Sequence, residues 1–169
     1  MEVGLSIGSN LGDRLSNLLQ AGKCISLVPE VNSIVMSPVY ETDPVDVPHG
    51  TEHLLFLNAV LVIECTLEPL NLLSAMQIIE HKLGRVRGQT NAPRSIDIDI
   101  IYVDSRVINE PGLIVPHPRW KERGFVVVPL ADLRPELVLP GGGLTVDQIR
   151  TRLPSCPAVK VHRKQHTCW

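Results

Sequence analysis

Aromatic side chains are scarce, at 4% of the chain, which weighs against an RNA-binding module that stacks bases on exposed strand aromatics. Cysteines are few and scattered: Cys24, Cys65, Cys156 and Cys168 form no CxxC pair, a pattern that fits free thiols in a reducing cytosol. No apolar run approaches the ~20 residues of a membrane span. The stretch Met1-Glu2-Val3-Gly4-Leu5 has neither a basic region nor a long apolar core, so no signal peptide is expected. A net charge of −2 is too mild to indicate a polyanion-binding or membrane-surface protein. Internal repeats are absent, and the Gly8–Gly12 turn matches neither GxGxxG nor GxxxxGK[ST]. The expectation is one domain over residues 1–169, monomeric and cytoplasmic, with no nucleic-acid or membrane partner and a flexible basic tail from about residue 155.

What the chain does have is concentrated in Pro93–Val103. Ile96, Ile98 and Ile100 alternate with Asp97 and Asp99, a period of two that predicts a strand. Side chains two apart share a face, about 7 Å apart. Two carboxylates so placed repel each other and resist desolvation unless a cation intervenes. Hard divalent ions take oxygen ligands, so the pair is a candidate metal site. A strand with one solvated polar face accounts for the same two acids without any metal. The neighbouring residues favour the first reading. Lys82, Arg85, Arg87 and Arg94 crowd the preceding segment with no acid from Lys82 to Arg94, as a metal-bound polyphosphate would require.

The rest of the chain gives a coarse order of β-α-β, long loop, β-α, loop, β-β and small helices. Val3–Ile7 predicts a strand, followed by a helix capped by Asn10 or Asp13. Val31–Tyr40 predicts one strand, and Phe56–Cys65 another, with Asn58 as an odd amide in an apolar run. Between them Glu41–Leu55 is long enough to be a binding loop, and its His49 and His53 are read as solvated. Thr66 is expected to cap a helix that ends at Gly84. Asp104-Ser105 predicts a hairpin turn into Arg106–Ile108, and Arg119, Lys121 and Arg123 offer a second basic wall. This order favours an α+β fold, a ferredoxin-like sandwich with an antiparallel-rich sheet and flexible site loops, over a doubly wound sheet.

Several separated segments resemble one family, the 6-hydroxymethyl-7,8-dihydropterin pyrophosphokinases of folate biosynthesis. They are Ile7–Gly12, Tyr40–Pro44, Phe56–Ala59, Glu80 through Arg87, Pro93–Ile100, and Val115–His117 through Arg123–Phe125, in the family's order. The resemblance implies transfer of the terminal diphosphate of ATP to the pterin hydroxymethyl oxygen, releasing AMP. It makes Asp97 and Asp99 the ligands of two Mg2+ ions, and Arg85 and Arg94 the loop arginines that grip the phosphates. Gln77, Glu80, Arg87, Ile100, His117 and Arg123 are then expected around ATP. Thr42, Pro44, Val45 and Asn58 are expected at the pterin edge, with Phe56 and Phe125 sandwiching its ring. A nucleotide-binding regulatory module is the remaining alternative, which the intact Asp97 and Asp99 oppose. The chain departs from the family between Arg87 and Arg94, where Thr90-Asn91-Ala92 stands in place of a longer, aromatic-bearing segment.

Overall fold

Alternation along the first strand lets one sheet carry two unlike faces. In the computed structural model, which describes residues 1–45, 48–51, 53–85, 92–153, 160–163 and 167–168, strand β1 (Glu2–Ser9) turns Val3, Leu5 and Ile7 into one core. Its Gly4, Ser6 and Gly8 face the other way. The chain continues through α1 (Arg14–Ser26), β2 (Val31–Met36), β3 (Val39–Thr42), β4 (Phe56–Cys65), α2 (Pro69–Lys82) and β5 (Asp97–Val103). A small hairpin of β6 (Ile108–Glu110) and β7 (Leu113–Val115) follows, then α3 (Gly124–Leu133), α4 (Val146–Arg152), β8 (Lys160–Arg163) and β9 (Thr167–Cys168). The main sheet runs β5-β1-β4-β2-β9, with β3 also on β4 and β8 on β3, and every pair is antiparallel. That order, with α1 and α2 as crossovers, is the ferredoxin-like α+β arrangement expected from the sequence.

Each face has its own core. Leu18, Ala21 and Ile25 of α1 and Leu72, Met76 and Ile79 of α2 pack on Leu57, Ala59, Leu61 and Ile63 of β4 and on Ile98 and Ile100 of β5. On the reverse, Val126, Val127 and Leu130 of α3 and Val146 and Ile149 of α4 cover Val60, Val62, Ile101 and Tyr102. The β5 alternation changes phase in mid-strand: Leu5 faces Ile100 and Gly4 faces Tyr102, leaving Ile101 as the extra residue of a bulge. Ile101 and Tyr102 thus both join the second core, while Asp97 and Asp99 on the same face lie beyond its edge.

Gly4 is where this packing is tightest. A Cβ there would lie 2.1 Å from the Tyr102 ring, whose hydroxyl is itself tied to Glu2 Oε1 at 2.7 Å. Gly4→Ala is therefore expected to destabilise by about 1–3 kcal/mol, the usual range for overpacking. In thermal unfolding this should lower Tm by several degrees. An unchanged Tm would mean that the ring has room to move.

Several local expectations are corrected. The expected Val31–Tyr40 strand is two strands, because Pro38 has no N–H for the ladder. Buried Ser37 bridges the break, accepting from Val60 N–H at 3.0 Å and donating to the Pro38 carbonyl at 2.8 Å. Asp13 caps α1 by accepting from Ser16 N–H at 3.0 Å. Thr66 does not cap α2, whose N-cap is Glu68 with Pro69 behind it; its hydroxyl donates instead to the Glu30 carbonyl. Asp104-Ser105 does turn the chain, but β6 pairs with β7 and not with β5. Phe125–Leu130 lies within α3, which contains Pro129. Beyond α4, the described residues Lys160–Arg163 and Thr167–Cys168 form β8 and β9, whose backbones pair with β3 and β2.

Candidate active site

The face of the sheet that carries Asp97 and Asp99 opens into a cavity of about 400 Å3. Its floor is β1, where Ser6 sits opposite Asp99 and Gly8 opposite Asp97. One wall comes from Arg85 and Arg94, the segment beyond the C-terminal end of α2 and the approach to β5. A second is the stretch from His117 to Phe125, which follows the hairpin and contains a short 3-10 turn at Trp120–Glu122. The third is the end of β3 and the start of β4, contributing Thr42, Phe56 and Asn58.

At the acidic end charges are matched. Arg85 Nη1 donates to both Glu80 Oε1 and Asp97 Oδ1, Arg94 Nη1 lies 3.1 Å from Asp97 Oδ2, and Arg123 Nη1 lies 3.3 Å from Asp99 Oδ2. Three guanidinium groups thus face three carboxylates. Burial pushes the Asp97 carboxyl above its usual range, Asp99 adds to the push, and Arg94 and Arg85 only partly offset both. Glu80 is nearly fully buried, and desolvation pushes its carboxyl up as well, against the Ile98 N–H that donates to it at 2.7 Å. Burial, then the Arg123 and Arg119 charges, bring His117 down to about 4, so its imidazole is neutral near pH 7. Its Nε2 lies 3.4 Å from Arg123 Nη1.

Two neighbouring carboxylates on one face of β5, Asp97 largely desolvated and Asp99 more open, are a donor set suited to a small hard cation. Mg2+ needs only one or two protein carboxylates when phosphate and water oxygens complete its shell. Asp97 and Asp99 meet that requirement, although no group of three His, Cys, Asp or Glu converges among the described residues.

The opposite end suits a flat heterocycle. Asn58 is buried and donates through Nδ2 to Thr42 Oγ1 at 2.7 Å. A Cβ at Gly8 would come within 2.6 Å of Asn58 Oδ1, so glycine preserves the room that the amide occupies. Phe56 and Phe125 both line the cavity, and the Arg123 guanidinium lies 5.4 Å from the Phe125 ring centroid. The long loop before β4 is tied down by Arg14 at the start of α1. Its Nη2 pairs with Glu41 at 3.0 Å and its Nη1 donates to the Leu55 carbonyl at 2.9 Å, one contact at each end of the loop.

Most residues singled out in the sequence meet here: Thr42, Val45, Phe56 and Asn58 with Arg85, Arg94, Asp97, Asp99, His117, Arg123 and Phe125. Glu80 joins them through Arg85. Three others do not line the cavity. Pro44 lies between Asp43 and Val45, which do, and Gln77 is exposed on α2. The Ile100 side chain is buried in the core beneath α1 and α2, on the other face of the sheet, so an ATP contact there would have to use its backbone. Arg87 lies outside the described residues, as do Thr90 and Asn91. Of the second basic wall, Arg119 and Arg123 line the cavity while Lys121 donates to the Gly141 carbonyl at 2.8 Å. His49 and His53 are exposed and do not line it. Ser6, Gly8, Asp43 and Glu122 were not singled out; the period of two in β1 is a signal that finds the first two.

The model of one family, 7,8-dihydro-6-hydroxymethylpterin-pyrophosphokinase (HPPK), matches residues 4–135. The chain is similar to the 2-amino-4-hydroxy-6-hydroxymethyldihydropteridine pyrophosphokinase of Pseudomonas aeruginosa, with 35% identity over 161 residues and 95% of each chain covered. Its counterpart from Bacillus subtilis is 40% identical over 129 residues, covering 76% of this chain and 75% of that one. The folic acid synthesis protein fol1 of Pneumocystis carinii is 39% identical over 144 residues, 85% of this chain, and the match spans only 19% of that longer protein. Among solved structures, Plasmodium falciparum HPPK-DHPS with pteroate shares the fold, with a TM-score of 0.69 at 15% identity, covering 89% of this chain and 42% of that one.

Proposed function

We propose, because this chain belongs to the 7,8-dihydro-6-hydroxymethylpterin-pyrophosphokinase family, that it moves the terminal diphosphate of ATP onto the hydroxymethyl oxygen of 6-hydroxymethyl-7,8-dihydropterin and releases AMP, a step of folate biosynthesis. The observation that carries this reading is one cavity with two unlike ends. A paired carboxylate faced by three arginines stands at one end, and a buried amide with two phenylalanines at the other.

Transfer of this kind asks a protein mainly for positioning and for neutralisation of phosphate charge. Asp97 and Asp99 would hold Mg2+, two ions in this reading, and the bound metal supplies charge neutralisation along the polyphosphate. Carboxylates engaged in that way no longer need Arg85, Arg94 and Arg123, whose guanidinium forks then turn to phosphate oxygens. Glu80 keeps Arg85 at its post, since it is buried and bonded to the β5 backbone. Neutral His117 offers a hydrogen bond without adding charge. At the other end Asn58, oriented by Thr42, reads the donor–acceptor edge of the pterin, and Phe56 and Phe125 flank its ring. The same reading has a single monomeric domain in the cytoplasm, with neither nucleic acid nor membrane as partner. The mild net charge supports it, as does the lack, among the described residues, of any helix long and apolar enough to cross a membrane.

The test is incubation with ATP, Mg2+ and the reduced hydroxymethylpterin, followed by separation of the nucleotides. AMP formed in step with pterin consumption is expected; ADP, or turnover indifferent to the pterin, would refute the reaction. Asn58→Ala separates the two ends of the cavity. Losing a buried hydrogen-bonding group costs about 1–3 kcal/mol, or roughly 5- to 150-fold in pterin affinity. Calorimetric titration should show that loss for the pterin and little change for Mg·ATP. The reverse pattern would mean that the two ends have been assigned backwards.

A further inference from the structure

The turn between β1 and α1 holds Arg94 by its backbone. Asn10, only 4% exposed, grips that residue twice: its N–H donates to the Arg94 carbonyl at 3.2 Å, and its Oδ1 accepts from the Arg94 N–H at 2.8 Å. The β1–β5 ladder ends at Gly8 opposite Asp97, so Arg94 lies beyond it and these bonds stand in for ladder bonds. Asn10 is a firm point to hold from. Asn17 Nδ2 donates to the Leu11 carbonyl at 2.9 Å and to Ser9 Oγ at 3.2 Å, which braces the turn on both sides of Asn10. From this fixed backbone the Arg94 side chain reaches Asp97.

We propose that Asn10 is a positioning residue for the transfer reaction: it fixes the Arg94 peptide, so that the guanidinium passes from Asp97 to the phosphates by side-chain rotation alone. Arg85 is held separately, by its N–H donating to the Glu80 carbonyl at 3.0 Å. An amide suits position 10 because it accepts the Arg94 N–H without adding charge; an aspartate would place a fourth carboxylate near a balanced cluster of three acids and three arginines. The Asn10 Nδ2 is buried and has no partner among the described residues, so its contacts there all run to Arg94 through Oδ1 and the backbone.

The inference rests on the reading of Arg94 as a phosphate-gripping group, and a double-mutant cycle tests the two apart. Single-turnover rates are measured with Mg·ATP and the hydroxymethylpterin for the full chain, Asn10→Ala, Arg94→Ala and the double variant. Asn10→Ala is expected to slow the chemical step 10-fold or more while changing either substrate's Kd less than about threefold. In the Arg94→Ala background the same substitution should cost less than twofold, because there is no longer a guanidinium to position. Full multiplication of the two losses, or a native rate in Asn10→Ala, overturns the proposal while leaving the role of Arg94 intact. A native rate in Arg94→Ala overturns the reading of Arg94 and the proposal with it. Amide hydrogen exchange on the unaltered chain guards against a variant that does not fold. The Arg94 amide should be protected with and without Mg·ATP, and exchange at the rate of an open loop overturns the proposal.

Discussion

Asp97→Ala and Asp99→Ala are each expected to cut pyrophosphoryl transfer by at least about a hundredfold while the chain stays folded, the scale seen when one charge-stabilising group of an active site is removed. The fold should survive because the core face of β5 is Ile98 and Ile100, which neither change touches. Turnover should not, because Asp97 and Asp99 are the carboxylate pair that β5 presents to the cavity, and each variant leaves a divalent ion one of the two. Nor should more Mg2+ restore it. In Asp97→Ala the vacated site is bounded by Arg85 and Arg94, whose charges then repel a cation with nothing between them. Asp99 is the more exposed of the pair and, among the described residues, is paired with Arg123 alone, so its variant should keep somewhat more activity. Assays across a Mg2+ titration, with circular dichroism as the control for folding, decide the matter; native turnover at saturating Mg2+ in either variant would remove these residues from the reaction.

The second large effect concerns the arginines. Arg94→Ala should slow the chemical step by about a hundredfold and weaken substrate binding far less, since its guanidinium is needed most where charge builds up on the transferring group. Arg85→Ala should show a smaller kinetic loss together with a stability loss that Arg94→Ala lacks. Arg85 is the cation for Glu80, and removing it leaves a nearly buried carboxylate with, among the described residues, only the Ile98 N–H. A charge stranded in that way costs about 1–3 kcal/mol or more. Single-turnover kinetics and thermal unfolding, run on both variants, separate the two contributions. A native chemical rate with only weakened affinity would rule out the role of Arg94 in the transfer step, and a native Tm in Arg85→Ala would show that Glu80 does not depend on it.

Much of this was legible in the chain because it is written at short range. Ile96, Ile98 and Ile100 against Asp97 and Asp99 is a period that water sorts, and the structure puts the isoleucines in a core and the acids in a cavity. Asn58 stood out as an amide in an apolar run, and it is indeed a buried polar group on the cavity side. What escaped depends on partners distant in sequence. Nothing near Asn10 announces that it will bind the backbone of Arg94, and nothing near Arg14 points to Glu41 and Leu55. The Pro38 break was audible as a proline but its extent was not, since Ser37 replaces the lost ladder contact from the side. The backbone pairing of the C-terminal segment had no local signal either: Lys160–Arg163 is polar and short, and it pairs as a strand because β3 leaves it an edge.

The bulge at Ile101 joins the interior to the cavity face in a way that deletion would expose. β5 is an end strand of the sheet, and the Ile101 carbonyl accepts the His117 N–H at 2.9 Å, anchoring the start of the stretch that carries Arg123 and Phe125 into the cavity. Excising Ile101 would regularise the ladder and still leave Ile100 and Tyr102 facing their proper cores. Packing alone would judge that shortened strand acceptable. The casualty would be remote: the 117–125 wall would lose its mooring, and an indel in the hydrophobic interior would read out as a defect in handling nucleotide.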